Sequence, residues 1–297
     1  TIMPCWNGKT RGGSFGYGFF IFLIKHLGLN AAYAFLFVVV PYFVPFAPKA
    51  TAASWKYWRK IHNKSVLCTI GKIFQHYYRF GQVIIDKIAA SSGLEKEFSF
   101  SFDGMDCLID HLKRGEKGAV MIGAHVGNWE VSRVFMKEYG TKLNVVMLDA
   151  EYQKIKDKLE STMGANTFGV IPVSTENIDH IFKIQSALAS NEVVCFQGDR
   201  YIREEDAKTV QFLGHDAPFP PGPHQIATMT GADTFFFFAV RESGKKYRFI
   251  CRKAEAAAQE TNRKMKASAS MQEYIDFLET IVRQYPEQWF NFYDFWL

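Results

Sequence analysis

Apolar residues form one long, nearly continuous run near the start of the chain. Over residues 15–47 one lysine and one histidine are the only basic residues, and no acidic residue occurs. The uncharged part, residues 27–47, is about long enough for one tilted membrane span at roughly 1.5 Å per residue, although Pro41 and Pro45 would bend its end. Two short helices lying in the membrane interface are the alternative. The run continues too far, and lacks the small-residue cleavage site, for a cleavable signal peptide.

Aromatic and basic residues alternate in the segment that follows, SWKYWRKIHNK, at positions 54–64. This mixture is typical of the headgroup boundary of a membrane, with a solvated amphipathic helix as the alternative. Lysine and arginine are more frequent after the apolar run than before it, where Lys9 and Arg11 stand, and this bias predicts that the bulk of the protein lies on the cytoplasmic side. The pattern therefore predicts a membrane-associated helical segment over residues 1–50 and an α/β domain over residues 51–297.

From about residue 97 the pattern changes to short apolar runs that alternate with segments of helical spacing. Such alternation predicts an α/β fold with a mainly parallel central sheet flanked by helices. Near the end of the chain, residues 234–252 are predicted to form a hairpin with its turn at 242–246, and Pro286 is predicted to stop a helix that begins near residue 271. The predicted strands of the sheet are 119–124, 143–148, 168–173 and 192–196, and the predicted helices between them are 131–140, 152–164 and 177–190.

Charge and cysteine content narrow the class of protein. The net charge of +5 is a modest basic excess, which suits an anionic membrane surface, phosphorylated lipids or an acidic carrier protein. No dense lysine or arginine block and no nucleic-acid motif is present, so we expect no nucleic acid partner. The five cysteines are widely spaced and include no CxxC pair, which favours reduced thiols over disulfides or a zinc site.

The segment HVGNWE carries the most informative chemistry. An apolar strand ends at Gly123, His125 follows it, and Gly127 and Asn128 make the turn into a helix. The carboxyl edge of a parallel sheet is where binding sites form. We therefore predict that His125 is a general base that activates a hydroxyl or an amine, and that Glu130 hydrogen-bonds its imidazole. The backbone N–H groups of Gly127 and Asn128 are candidate donors to a tetrahedral oxyanion.

Spacing alone is weak support for this pair, because His111 and Glu116 have the same separation. His111 lies in the last turn of a predicted helix before Gly115, where an imidazole is favourable for structural reasons. The position of His125 between a strand and a helix, rather than its distance from Glu130, carries the prediction.

A family resemblance rests on several segments. HVGNWE at 125–130 resembles the His-x4-Asp/Glu motif of the bacterial lipid A late acyltransferases, the lauroyl and myristoyl transferases of the lysophospholipid acyltransferase superfamily. FQGDR at 196–200, VQFLGHDAPFPPGPHQIA at 210–227 and PEQWFNFYDFW at 286–296 fall in the expected order. The similarity covers nearly the whole chain. It implies transfer from an acyl carrier protein thioester, at the cytoplasmic face of the inner membrane, without a metal or other cofactor.

The two ends of the chain differ from the lipid A branch. WNGKTRGGSFGYGF at the start and WFNFYDFW at 289–296 are more similar to a branch associated with aryl polyene and related lipid biosynthesis in bacteria. The acceptor therefore stays open between a lipid A precursor and another glycolipid or aminolipid. Whether its reacting group is a hydroxyl or an amine is equally open.

Other polar residues are predicted to bind substrate. Asp199 and Arg200 follow a predicted strand and so reach the same sheet edge as His125, where Arg200 could hold a phosphate or the pantetheine of the donor. Arg241, at the end of the FFFF strand, is a candidate contact for a lipid phosphate, and Asn128 is a further substrate-binding candidate. A purely structural ion pair is the alternative for Asp199 and Arg200. His224 is interpreted as a residue of the pocket rim.

The residues thus favour an acyltransferase that moves a fatty acyl group onto a membrane lipid. Two hypotheses from other classes remain. One is a non-catalytic lipid-binding protein with the same fold. The other is a serine lipase that uses Ser14, because GGSFG fits the GxSxG pattern, although no strand precedes it.

Overall fold

The computed structural model of the protein describes residues 13–132, 140–149, 168–174, 178–201 and 204–296. The predicted helix 152–164 and most of the predicted helix 131–140 lie outside these residues. The helices are α1 (Gly13–Phe46), α2 (Pro48–Lys56), α3 (Val66–Ser91), α4 (Asp106–Arg114), α5 (Asp179–Ala189), α6 (Gly222–Thr230) and α7 (Arg263–Gln284). The strands are β1 (Ser99–Asp103), β2 (Ala119–Gly123), β3 (Leu143–Leu148), β4 (Phe168–Val173), β5 (Val193–Gln197), β6 (Lys208–Phe212), β7 (His215–Phe219), β8 (Asp233–Arg241) and β9 (Lys246–Lys253).

Seven strands form one sheet in the order β1-β9-β8-β2-β5-β3-β4. Every neighbouring pair is parallel except the predicted hairpin β8 and β9. Helices flank this sheet, so the predicted fold class is confirmed. The continuous apolar runs become central strands because both faces are covered: Ala119 to Ile122 and Phe235 to Phe238 are all buried. Strand β1 and the small antiparallel hairpin β6 and β7 were not predicted.

The pairing of β2 with β5 places two candidate site residues next to each other. These two parallel strands run side by side with Gly123 opposite Gln197, the last residue of each. The chain that leaves β2 and the chain that leaves β5 therefore emerge next to each other at the carboxyl edge. Residues two positions beyond each strand, His125 and Asp199, are placed to face one another.

The apolar run at the start of the chain folds back on itself. Gly28 interrupts α1 with a non-helical φ of 81° and ψ of 172°. The ring centroids of Phe19 and Phe35 are 5.0 Å apart, whereas a straight helix would separate these residues by about 24 Å. Within the described part of the chain, one helical stretch, Gly18–Phe46, is long and apolar enough to cross a membrane by length and composition. The turn at Gly28 divides this stretch into two short antiparallel helices, which we call the apolar hairpin.

The aromatic and basic segment after the apolar hairpin is only partly placed as predicted. Tyr57 and Trp58 are buried in a π-helical turn, Tyr57–Ile61, where Tyr57 contacts the rings of Trp289 and Trp296. Only Trp55 remains exposed among these rings. The prediction that this segment as a whole lies at a headgroup boundary is therefore wrong for two of its aromatic side chains, which stabilise the core instead.

Candidate active site

His125 and Asp199 form a hydrogen-bonded pair at the carboxyl edge of the sheet. Nδ1 of His125 lies 2.8 Å from Oδ1 of Asp199, and the backbone N–H of His125 donates to Oδ2 at 3.0 Å. The two residues are 74 positions apart in sequence, and the register of β2 and β5 brings them together. Asp199 is buried, whereas the imidazole is 34% exposed.

Several groups keep Asp199 ionised. Burial raises the pKa of a carboxyl, but the imidazole of His125, the guanidinium of Arg200 and the indole N–H of Trp289 together hold the pKa of Asp199 at about 2. Trp289 donates this indole N–H to Oδ2 at 3.0 Å. Asp199 is therefore a carboxylate at any pH near neutrality.

An ionised Asp199 determines which nitrogen of His125 carries the proton. A carboxylate only accepts hydrogen bonds, so Nδ1 must be the N–H nitrogen and Nε2 is left with its lone pair. Among the described residues, none donates to or accepts from Nε2 of His125. The arrangement is that of a base oriented by an acid, with the reactive nitrogen open.

Glu130 does not occupy the predicted position beside Nδ1. It lies in a 3₁₀ turn, Trp129–Val131, and its Oε1 is 2.5 Å from Nζ of Lys87 on α3. The predicted hydrogen bond from the imidazole to Glu130 is corrected to one from Nδ1–H to Asp199, which the sheet register places beside this nitrogen. Oε2 of Glu130 is buried without a partner.

The predicted oxyanion donors are already used within the fold. The backbone N–H of Gly127 donates to the Gln288 carbonyl at 2.9 Å, and that of Asn128 donates to the Ala239 carbonyl at 2.7 Å. The side chain of Asn128 is buried and donates to the Val83 carbonyl at 3.4 Å. Gly127 has φ of 64°, and a Cβ there would collide with the Ala239 oxygen. This turn therefore fixes His125, and the predicted roles of Gly127 and Asn128 toward substrate are not supported.

Arg200 remains close to the pair. Its guanidinium lies over the ring of Tyr293, with 5.0 Å from Cζ to the ring centroid, and donates to the Phe290 carbonyl at 3.5 Å. Nε of Arg200 is buried without a partner. Among the predicted substrate-binding residues, Arg200 has its charge next to the His125–Asp199 dyad. No described residue neutralises this charge by a direct ion pair.

Arg241 is part of a buried ion pair instead of a phosphate site. Its Nε lies 2.9 Å from Oδ2 of Asp86, and both side chains are almost fully buried. Tyr33 of the apolar hairpin and Tyr247 of β9 also donate to Asp86. The predicted contact of Arg241 with a lipid phosphate is therefore corrected: the guanidinium joins β8 to α3 in the core.

The two other histidines considered from the sequence are structural. His224 is buried and its Nδ1 pairs with the Ser270 hydroxyl at 2.9 Å, so its interpretation as a rim residue is wrong. Burial lowers the pKa of His224 to about 3. His111 is buried in the last turn of α4 and contacts the Lys117 carbonyl at 3.0 Å, in agreement with its structural interpretation.

The segment 286–296 contributed to the family resemblance, but no role was predicted for its Gln288 and Trp289. Trp289 donates to Asp199, and the Gln288 carbonyl accepts from the turn after His125. Within the described ranges, no group of three His, Cys, Asp or Glu side chains is arranged as a metal site.

Comparison with known proteins identifies related acyltransferases. The family model of the bacterial lipid A biosynthesis acyltransferases matches residues 72–297. A phosphatidylinositol mannoside acyltransferase of Mycobacterium tuberculosis is 29% identical over 143 residues, which cover 47% of this chain and 43% of that protein. One of Mycolicibacterium smegmatis is 28% identical over 134 residues, 43% of this chain and 42% of that protein. The matched part thus spans less than half the length of these relatives.

Proposed function

The chain belongs to the bacterial lipid A biosynthesis acyltransferase family, and from this premise we propose that it transfers a fatty acyl group from an acyl carrier protein thioester to a hydroxyl or amine of a membrane lipid. The observation that carries the proposal is the pair of His125 and Asp199, in which the carboxylate binds Nδ1 of the imidazole and leaves Nε2 as the nitrogen with the lone pair. A protein that only binds lipid has no need of an oriented base. Ser14 is the second residue of helix α1, and the sequence pattern predicts no strand before it, which a lipase nucleophile requires.

The proposed reaction proceeds without an acyl-enzyme. Nε2 of His125 removes the proton from the acceptor hydroxyl or amine, and the freed lone pair attacks the thioester carbonyl carbon. The tetrahedral intermediate then collapses, its carbon–sulfur bond breaks, and the thiolate takes the proton from the imidazolium. Asp199 stabilises that imidazolium throughout, because its carboxylate stays ionised and bound to Nδ1.

Arg200 supplies positive charge for the substrates. It projects from the chain directly after Asp199, and no described residue accepts a hydrogen bond from its Nε. A guanidinium in this position fits the phosphate of the pantetheine arm or a phosphate of the acceptor, which it can bind through two parallel hydrogen bonds. We place donor and acceptor binding at this side of the dyad.

The choice of donor and acceptor class follows from chemistry and from the family. An acyl carrier protein is acidic, and the net charge of +5 favours its approach. The relatives are named for acylating a phosphatidylinositol mannoside, and the family is named for lipid A. Both names describe glycolipids, so the acceptor proposed for this chain is a glycolipid, such as a lipid A precursor, or an aminolipid.

The experiment that tests this function uses the full chain in vesicles that contain bacterial lipid extract. Radiolabelled acyl carrier protein thioester is added, and lipids and free thiol are measured together. The expected result is label in a glycolipid or aminolipid with one thiol released per acyl group transferred. Label that appears only as free fatty acid would show a hydrolase, and no thiol release at all would support a non-catalytic lipid-binding protein.

A membrane surface is the proposed place of action. Leu67, Ile70 and Phe74 form an exposed apolar stripe along α3, and the apolar hairpin exposes Phe37 and Tyr42. The sequence contains no aspartate or glutamate before Asp86. An apolar surface on a stretch of chain whose charged residues before Asp86 are all basic fits an anionic bilayer, and the cytoplasmic leaflet of the inner membrane has this charge.

Replacing Leu67 and Ile70 with glutamate is expected to weaken binding to vesicles at least ~10-fold, since two apolar side chains no longer enter the lipid and two negative charges repel it. Co-sedimentation with vesicles containing phosphatidylglycerol measures this. Met265→Glu, an exposed apolar residue of α7, is the control and should bind as the unmodified protein does. Equal binding of the double variant and the control would contradict the proposed surface.

A further inference from the structure

A short segment after α7 runs directly over the turn that carries His125. We call residues 288–293 the C-terminal strap. The Gln288 carbonyl accepts the N–H of Gly127 at 2.9 Å, and the N–H of Phe290 donates to the His125 carbonyl at 2.8 Å. These two bonds flank an antiparallel bridge between Val126 and Trp289. The backbone around the proposed base is thus held by the strap and not by its own helix.

The same strap holds the acid of the dyad. The indole N–H of Trp289 donates to Oδ2 of Asp199 at 3.0 Å, and the Tyr293 hydroxyl donates to the Asp199 carbonyl at 3.3 Å. Trp289 is fully buried. Oδ2 therefore receives the indole N–H and the backbone N–H of His125, which leaves Oδ1 to face the imidazole.

The strap is itself fixed from two sides. The side-chain amide of Gln288 bonds both backbone groups of Arg241, accepting its N–H at 2.8 Å and donating to its carbonyl at 2.7 Å. Nε2 of His76 on α3 lies 2.9 Å from the Trp289 carbonyl. Since a carbonyl only accepts, that ring nitrogen carries the proton. A segment held from two sides in this way positions its indole with little freedom.

We propose that Trp289 is a positioning residue for the reaction: its indole N–H holds the carboxylate of Asp199 in the rotation that presents Oδ1 to Nδ1 of His125. This rests on the proposed function, because it assigns the dyad a reaction to support. Without the indole donor, Oδ2 keeps only the backbone N–H of His125, so the rotation of the carboxylate about its Cβ–Cγ bond and the orientation of the imidazole are fixed less firmly. Through the strap, the C-terminal aromatic segment positions the carboxylate and the imidazole of the dyad.

Trp289→Phe tests the proposal in the transfer assay. It keeps an aromatic ring and removes the N–H, and we expect kcat to fall about 10- to 100-fold with KM nearly unchanged, the rate equivalent of one hydrogen bond to a charged group. Trp296→Phe is the matched control, because Trp296 is a buried tryptophan of the same aromatic cluster whose indole donates to the Phe212 carbonyl at 3.3 Å. Its kcat should stay within about twofold of the unmodified protein.

A double-mutant cycle separates positioning from packing. In an Asp199→Asn background the Trp289→Phe effect should largely vanish, because the indole acts through that carboxylate. Should Trp289→Phe fail to fold, 3-benzothienylalanine at 289 keeps the bicyclic ring and lacks only the N–H. Equal kcat for the 289 and 296 variants, or additive losses in the cycle, would overturn the proposal. Loss of transfer in Asp199→Asn together with either result would leave the proposed function standing.

Discussion

Replacing His125 with alanine is expected to lower the turnover of acyl transfer by about 10²- to 10⁴-fold, the usual contribution of a positioned general base. The imidazole is the group with an open ring nitrogen at the sheet edge, and Asp199 orients it. Asp199→Asn should lower kcat on a similar scale, because an amide no longer fixes the proton on Nδ1. Turnover with saturating donor and acceptor measures both effects.

Glu130→Gln is the control that separates the two candidate partners of His125. Glu130 binds Lys87, so its replacement should lower kcat far less than Asp199→Asn does. All three variants should keep the melting temperature of the unmodified protein within a few degrees. A loss in Glu130→Gln that equals the loss in Asp199→Asn would restore Glu130 as the acid partner and contradict the assignment made from the structure.

Asp86→Asn is expected to lower the free energy of unfolding by about 3–5 kcal/mol, the usual cost of leaving one charge of a buried ion pair uncompensated. Arg241 is 3% exposed and Asp86 fully buried, so water cannot replace the lost carboxylate. Chemical unfolding in a mild detergent measures the change. The same substitution removes a partner of Tyr33 and Tyr247, and both hydroxyls then face an amide.

An exposed ion pair of the same domain provides the control. Glu97→Gln removes the partner of Lys245, and because Glu97 is 49% and Lys245 27% exposed, water can solvate the remaining charge and the free energy of unfolding should change little. Pairing Asp86→Leu with Arg241→Met should recover much of the stability, because no unpaired charge then remains. If Asp86→Asn destabilises no more than Glu97→Gln, the buried pair does not hold α3 to the sheet.

The strands and one edge of the site could be predicted from the sequence. Buried parallel strands have continuous apolar runs, and such runs located β2, β3, β4 and β5 to within one or two residues. The prediction that His125 and Asp199 reach one edge also holds. The order of the strands could not be predicted, since nothing in the apolar runs encodes which strand lies beside which, and only the adjacency of β2 and β5 shows that Asp199 is the partner.

The incorrect predictions for the polar side chains of Arg241 and His224 have a common physical cause. Arg241 and His224 were expected near substrate because charged and polar side chains usually avoid the core. Both are buried because partners far away in sequence compensate them: Asp86 stands 155 positions from Arg241, and Ser270 stands 46 positions from His224. A linear pattern cannot show such distant compensation. Glu130 shows the opposite error. It lies close to His125 in sequence and was predicted to be its partner, but its side chain pairs with Lys87 instead.

The turn at Gly28 has a consequence for topology. Two antiparallel helices that meet at a single turn begin and end on the same side of any bilayer they enter. A reporter inserted before Gly13 is therefore expected to lie in the same compartment as one inserted after Phe46 when the apolar hairpin enters a bilayer.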